Sequence, residues 1–178
     1  MLRIALIYGC SAGGVLIATM CAIFIFRGPT GGHSLLAGYL LMLAALSLIF
    51  LGIKKYRDAT LGGVIRYWTA AGVGMGIALA ATVVYVIGWE IYLWATDYTF
   101  WEHYSKSAIA GKQAAGASPA ELAKFTEEMA AMGQKYTQMW FRMMFTTFEI
   151  LLVGTIVALV SAGLLRKTGF LPNRAAAA

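Results

Sequence analysis

The chain has 178 residues, of which 60% are hydrophobic and only 12% are charged. Such a surplus of apolar side chains has to face something other than water, which excludes an ordinary soluble globular domain. The formal net charge is +6 at pH 7. Most lysines and arginines stand in short clusters beside apolar stretches, a pattern that reports orientation in a membrane, and we predict no nucleic-acid-binding face.

Four apolar segments predict four transmembrane helices, because about 20 apolar residues span a hydrocarbon core of about 30 Å. The first covers residues 4–26 and ends at turn residues 27–33. It is long for a signal peptide and lacks a convincing cleavage site, so we expect it to remain as a span. The second covers residues 34–53 and ends at the charged residues 54–58, which are expected at the membrane surface. The third covers residues 68–94, with Asp97 marking its end, and the fourth covers residues 140–166.

The predicted fold class is therefore an all-α integral membrane four-helix bundle, with its first three spans in residues 1–96. The polar residues 97–139 separate the last two spans and predict a helical insert, and residues 167–178 form a short tail. Within the insert, Ser118, Pro119 and Glu121 predict a helix start with a capping box. The serine and the glutamate can each satisfy a backbone N–H that has no partner within the helix.

After this cap, apolar side chains recur at alternating spacings of three and four residues, which predicts an amphipathic helix. They are Leu122, Phe125, Met129, Met132, Tyr136, Met139 and Met143. The preferred interpretation is packing onto the preceding segment, residues 98–109, or onto the lipid surface. The alternative is a partner-binding face that includes Phe125, Met129 and Met132, since methionine adapts to irregular surfaces.

The positive charges predict the orientation of the bundle. If four helices alternate in direction, one side carries Arg3, the basic residues between the second and third spans, and the basic residues after the fourth. The positive-inside rule makes this side cytoplasmic. Both termini are thus expected in the cytoplasm and the insert on the outer side.

Several segments resemble the bacterial domain-of-unknown-function 4199 family. The similar residues are 50–58, 61–65 and 85–92, together with 6–9, 148–150 and 153–154. The resemblance implies a multi-pass protein of the bacterial inner membrane with four spans and an outer helical insert, and it implies no activity. It nominates six positions, Arg57, Asp58, Trp89, Glu90, Tyr92 and Glu149. The sequence departs from the family pattern at Gly88, where a bulkier, often aromatic residue is expected.

Two carboxylates inside the predicted spans, Glu90 and Glu149, are the main candidates for a functional site, because an ionised group in lipid is costly unless paired, hydrated or protonated. Helical rise places both roughly 10 Å below the outer boundary. Facing each other, they would share a proton or bracket a cation. Arg142 is a competing partner on the same helix face as Thr146 and Glu149. The preferred interpretation is pairing that fixes helix register.

Aromatic residues gather near the same depth. Most of them, Tyr98 and Trp101 included, fit an interfacial belt, in which the rings tolerate the boundary between lipid and water. Tyr85 lies deeper, and its hydroxyl needs a partner if buried. Trp89 and Tyr92 share its side of the third helix and are candidates for a ligand contact or an interface.

Small residues at four-residue spacing predict close approach of helix backbones. One set is Gly9 and Gly13, and the other is Gly72, Gly76 and Ala80. They can serve packing within the bundle or dimerisation, and packing is preferred for the third helix.

No catalytic, nucleotide-binding, metal-ligand or haem-attachment motif is present, so we predict no enzyme, no cofactor and no metal site. The sequence favours an accessory or scaffold subunit of a membrane complex, or a binder of a lipid-like ligand. Its expected partners are the lipid bilayer and either a membrane-protein complex or further copies of the chain. The alternative is a proton- or cation-linked transporter that uses Glu90 and Glu149 and functions as an oligomer.

Overall fold

A computed structural model describes residues 1–27 and 35–172, without the side chains of residues 25–27 and 35–37. The predicted turn after the first span, the start of the second span at Ser34 and the end of the tail lie outside these residues. The described part is helical and contains no strand. Its helices are α1 (Leu2–Arg27), α2 (Leu35–Leu46), α3 (Leu48–Thr60), α4 (Tyr67–Ala95), α5 (Phe100–Ala114), α6 (Pro119–Tyr136) and α7 (Met139–Leu165).

The described residues contain four helices that are long and apolar enough to cross a membrane, so the prediction of an all-α protein with four candidate spans is confirmed. These are Leu2–Phe24, Gly38–Thr60, Tyr67–Ala95 and Met139–Leu165. The second combines α2 and α3, which a single residue, Ser47, separates. It extends to Thr60, beyond the predicted end at Ile53. The sequence placed residues 54–58 at the membrane surface, but Tyr56 and Arg57 are buried in the bundle.

Helix α4 is the centre of the bundle and packs against α1 on one side and α7 on the other. Small residues allow both contacts, which depend on close backbone approach. A Cβ atom at Gly13 would lie 2.6 Å from the backbone oxygen of Ala81, and one at Gly74 would lie 2.8 Å from the Cβ of Ala158. A Cβ atom at Gly72 would meet no neighbour within 4 Å, so this member of the predicted set contributes nothing to packing within the bundle.

Alanine substitution at two adjacent glycines tests this packing. We expect Gly13→Ala to lower the free energy of unfolding by about 1–3 kcal/mol, because the added methyl group meets fixed backbone. Gly14 has no neighbour within 4 Å. Gly14→Ala should leave the stability unchanged or raise it by up to about 1 kcal/mol, as alanine favours helix. Thermal unfolding in detergent, followed by circular dichroism, compares the two variants. Equal losses would contradict the close α1–α4 contact.

Helix α4 ends at Ala95, close to the end that Asp97 predicted, and the chain then turns sharply into α5. Asp97 and Tyr98 adopt left-handed backbone conformations, with φ of 51° and 56°. The N–H of Tyr98 donates to the oxygen of Leu93 at 2.8 Å, and that of Asp97 donates to the oxygen of Trp94 at 3.3 Å. These two bonds form a Schellman motif, which satisfies carbonyls at the helix end.

Helices α5 and α6 form a helical hairpin, residues 100–136, between the last two spans. The predicted capping box is present at the start of α6: the Ser118 hydroxyl accepts from the Glu121 N–H, and the Glu121 carboxylate accepts from the Ser118 N–H. The hydrogen bonds that the Glu121 carboxylate accepts from the Ser118 N–H and from the Ser118 hydroxyl hold its pKa below the usual value. The Trp101 indole lies against Gly133, where a Cβ would approach its nitrogen to 2.5 Å. Neither helix contains a fully buried residue.

Candidate functional site

Arg142, near the start of α7, forms a buried two-point ion pair with Glu90 of α4. Its Nε donates to Glu90 Oε1 at 3.1 Å, and its Nη2 donates to Glu90 Oε2 at 2.9 Å. The side chains are only 6% and 14% exposed. The planar fork of the guanidinium matches the two carboxylate oxygens, a geometry that a lysine cannot reproduce. The pair therefore fixes the register of α4 against α7.

The same guanidinium also ties the hairpin to the bundle. Arg142 Nη1 donates to the backbone oxygens of Tyr136 and Thr137, each at 2.9 Å. These carbonyls lie at the end of α6, where helix geometry leaves acceptors without partners. The guanidinium carbon also lies 5.0 Å from the centre of the Tyr98 ring, in a cation–π contact with the α4–α5 turn. One side chain thus connects α4, the turn, α6 and α7.

An aromatic cluster lies beside this ion pair. The Trp89 indole Nε1–H donates to the Tyr136 hydroxyl oxygen at 3.0 Å. Burial raises the pKa of Tyr136 to about 12, so its hydroxyl stays protonated at neutral pH. The Phe100 ring packs edge-on against Trp89 with centroids 4.8 Å apart, and Phe24 packs against both Trp89 and Tyr92. Trp89 and Tyr92 therefore pack where α1, α4 and the hairpin meet.

The other intramembrane candidates lie near the ion pair without joining it. Tyr85 is buried, and its ring is nearly parallel to that of Trp89 at a centroid distance of 6.4 Å. Thr146 is buried one turn after Arg142. Within the described part of the chain, Glu149 has no hydrogen bond or ion pair. Arg142 therefore forms its ion pair with Glu90, and Glu149 has no counter-ion among the described residues.

A cleft of about 760 Å³ opens between the two helices of the hairpin and the start of α7. Its walls combine aromatic, methionine and aliphatic side chains with a few hydroxyl groups and two charged side chains, Glu102 and Arg142. The lining residues are Tyr98, Trp101, Glu102, Ser105, Ile109, Thr126, Met129, Ala130, Gly133, Tyr136, Thr137, Met139 and Arg142. We refer to this space as the hairpin cleft.

The charged side chains that line the hairpin cleft are both compensated. Arg142 is paired with Glu90, and Glu102 accepts from Lys106 Nζ at 2.6 Å. This ammonium holds the pKa of Glu102 below its usual value. The cleft is therefore electrically neutral in sum, with an apolar wall and polar groups at a few points, the usual character of a small-molecule site.

The apolar side chains predicted to form one stripe along α6 lie in different surroundings in the structure. Met129 lines the hairpin cleft. Phe125 packs under Lys112 of α5, with the ammonium 4.4 Å from the ring centre. Met132 is half-buried. Phe125 thus contacts α5 at Lys112, beyond the residues 98–109 against which the stripe was expected to pack. Contact of this face with a partner stays a prediction.

A second buried arginine lies at the opposite end of the bundle. Arg57 has no exposed surface. Its Nε donates to Asp58 at 2.7 Å, its Nη1 to the oxygen of Phe170 at 3.0 Å and its Nη2 to the oxygen of Leu171 at 2.5 Å. A longer contact of 3.5 Å reaches the oxygen of Leu165, the last residue of α7. Arg57 therefore connects the end of α7 to α3, and its side chain is not accessible to a ligand.

Sequence reasoning missed part of the site. It named Arg142, Glu90 and Met129, but it assigned Trp101 and Tyr98 to the interfacial belt. The useful signal was Gly133, one turn before Tyr136 on the amphipathic helix, because a glycine there leaves room for a large ring. Gly88 has a similar use: a Cβ at this position would lie 2.8 Å from Ile17, so the glycine permits close approach of α1.

The described residues contain no group of three or more His, Cys, Asp or Glu side chains placed to hold a metal ion. The fold and the site define a helical protein with four candidate membrane spans and a cleft in a hairpin between the last two. The chain belongs to the family described as "Protein of unknown function (DUF4199)", whose model matches residues 7–167. No curated protein and no solved structure matches it.

Proposed function

We propose that this protein is a multi-pass protein of the bacterial inner membrane that binds a lipid-like amphiphile in the hairpin cleft. In this proposal both termini lie in the cytoplasm and the hairpin lies on the outer side, as the distribution of positive charge favours. The observation that carries the proposal is the cleft itself. Its volume of about 760 Å³ falls within the range of about 300–1,000 Å³ that is typical of small-molecule sites.

The position of the cleft supports an amphiphile as its occupant. Two of its lining residues lie next to candidate spans: Tyr98 follows the span that ends at Ala95, and Met139 is the first residue of the fourth span. An acyl chain could therefore leave the bilayer and enter the cleft without crossing a wide aqueous gap. Met129 and Ile109 offer adaptable apolar surface for such a chain.

The ion pair between Arg142 and Glu90 disfavours the alternative function, a transporter in which two carboxylates face each other. Glu90 gives both oxygens to Arg142, so it is not free to share a proton or a cation with Glu149. Binding at the cleft needs no change in this pair.

Filling the cleft tests the proposal. Ala130 lines the cleft, whereas its neighbour Ala131 does not, and both side chains are exposed. We expect the wild-type protein and Ala131→Trp to retain one molecule of 1-monooleoylglycerol in native mass spectrometry from a mild detergent. Ala130→Trp should lose at least tenfold in apparent affinity, because the indole occupies the volume that the ligand needs.

Two outcomes would overturn the proposal. One is equal retention of the lipid by Ala130→Trp and Ala131→Trp, which would place the bound molecule elsewhere on the apolar surface. The other is absence of any stoichiometric adduct in the wild-type protein across a range of lipid concentrations. Circular dichroism spectra of all three proteins should agree, which checks that the tryptophans leave the helices intact.

A further inference from the structure

The hairpin cleft contains a hydrogen-bond donor that the protein does not use. Within the described part of the chain, the Trp101 indole N–H has no acceptor. The nitrogen is not fully buried, because every fully buried side-chain nitrogen or oxygen in this part of the chain has a hydrogen-bond partner. Tryptophan can only donate, so a bound ligand that uses this group must offer an acceptor oxygen.

The structure holds this donor in a fixed place. The Trp101 ring stacks on Tyr136 with centroids 4.9 Å apart and an interplanar angle of 29°. Its edge lies over Gly133, where no Cβ obstructs it. A donor that is already oriented loses little entropy when it binds, so a single hydrogen bond can discriminate between ligands.

Three hydroxyl groups of the cleft offer the complementary chemistry. The hydroxyls of Ser105, Thr126 and Thr137 each donate to a backbone oxygen of their own helical segment. Their protons are thus engaged, and their oxygens remain as acceptors for hydroxyl groups of a ligand. The lining charges are compensated within the protein, so nothing in the cleft favours a net charge on the ligand.

We propose that the hairpin cleft selects an uncharged, hydroxylated acyl ester, with the ester carbonyl accepting the Trp101 N–H and the ligand hydroxyls donating to the serine and threonine oxygens. This proposal rests on the proposed function and specifies its ligand. A free fatty acid fits less well, because both charged side chains that line the cleft are already paired and neither is free to balance the ligand carboxylate.

A series of three matched lipids tests the selection. The probes are 1-monooleoylglycerol, its ether analogue 1-O-oleylglycerol, which lacks the carbonyl oxygen, and oleate. For the wild-type protein we expect the ester to bind about fivefold more tightly than the ether, the usual effect of one neutral hydrogen bond. Oleate should bind more weakly than the ester. Trp101→Phe should bind ester and ether equally, whereas Trp94→Phe, which changes an exposed residue outside the cleft, should keep the preference.

The comparison between ester and ether in the wild-type protein needs no variant, so a folding defect of Trp101→Phe leaves the test intact. Equal affinity for ester and ether in the wild type, persistence of the preference in Trp101→Phe, or tighter binding of oleate would each overturn the selection. These results differ from failure of the proposed function, in which none of the three lipids responds to Ala130→Trp.

Discussion

Replacing Arg142 with methionine is expected to lower the free energy of unfolding by about 3–5 kcal/mol, the usual cost of removing one partner from a buried ion pair. The substitution leaves the Glu90 carboxylate without its counter-ion and removes the donor for the oxygens of Tyr136 and Thr137. Unfolding by sodium dodecyl sulfate in mixed micelles, followed by circular dichroism, measures the change.

The exposed ion pair of the hairpin is the matched control. Lys106 and Glu102 form a pair of the same kind on the surface of α5, with side chains 71% and 63% exposed. Lys106→Met should leave the stability unchanged, because water screens an exposed pair and solvates the remaining charge. Equal effects of Arg142→Met and Lys106→Met would contradict a structural role for the buried pair.

The double variant Arg142→Met with Glu90→Leu separates the two functions of the arginine. It removes the uncompensated carboxylate, so much of the lost stability should return. The α6 carbonyls still lack their donor. We therefore expect limited proteolysis to cleave the hairpin of the double variant faster than that of the wild type.

Arg57→Met is the second change for which we expect a loss of about 3–5 kcal/mol, again because a buried charge network is broken. Without the guanidinium, the oxygens of Phe170 and Leu171 lose their donor, and Asp58 loses the hydrogen bond from the arginine Nε. Arg57→Lys should recover little, because an ammonium group cannot reach several separate oxygens as the planar fork does. The same unfolding assay measures both variants.

Lys55 provides the control for Arg57, since it lies two residues earlier on the same helix and is exposed. Lys55→Met should unfold with the wild-type midpoint. A wild-type midpoint for Arg57→Met would show that the contacts at the end of α7 contribute nothing to stability. Full recovery by Arg57→Lys would show that charge alone suffices there.

The sequence predicts the spans because lipid requires long apolar helices, and it predicts the start of α6 because a capping box is local chemistry. The amphipathic pattern of α6 also follows from helical periodicity. Such features depend on neighbours along the chain. They need no knowledge of how one span is rotated against another.

The partner of Glu90 could not be predicted in this way. Arg142 and Glu149 both stood on one face of α7, and the choice between them depends on the relative height of α4 and α7 and on the oxygens at the end of α6. Arg57 was placed at the membrane surface because its acceptors come from a distant segment after α7. The unused Trp101 N–H depends likewise on how α5 packs over Gly133.

The most direct test of ligand binding in the hairpin cleft is photo-crosslinking with a monooleoylglycerol that carries a diazirine in its acyl chain. After irradiation in nanodiscs, peptide mass spectrometry locates the labelled residues. We predict labels at cleft residues such as Met129 and Ile109, with their loss in Ala130→Trp and their retention in Ala131→Trp. Labels confined to exposed residues of the spans, such as Leu152 and Ile156, with none in the cleft, would contradict the account.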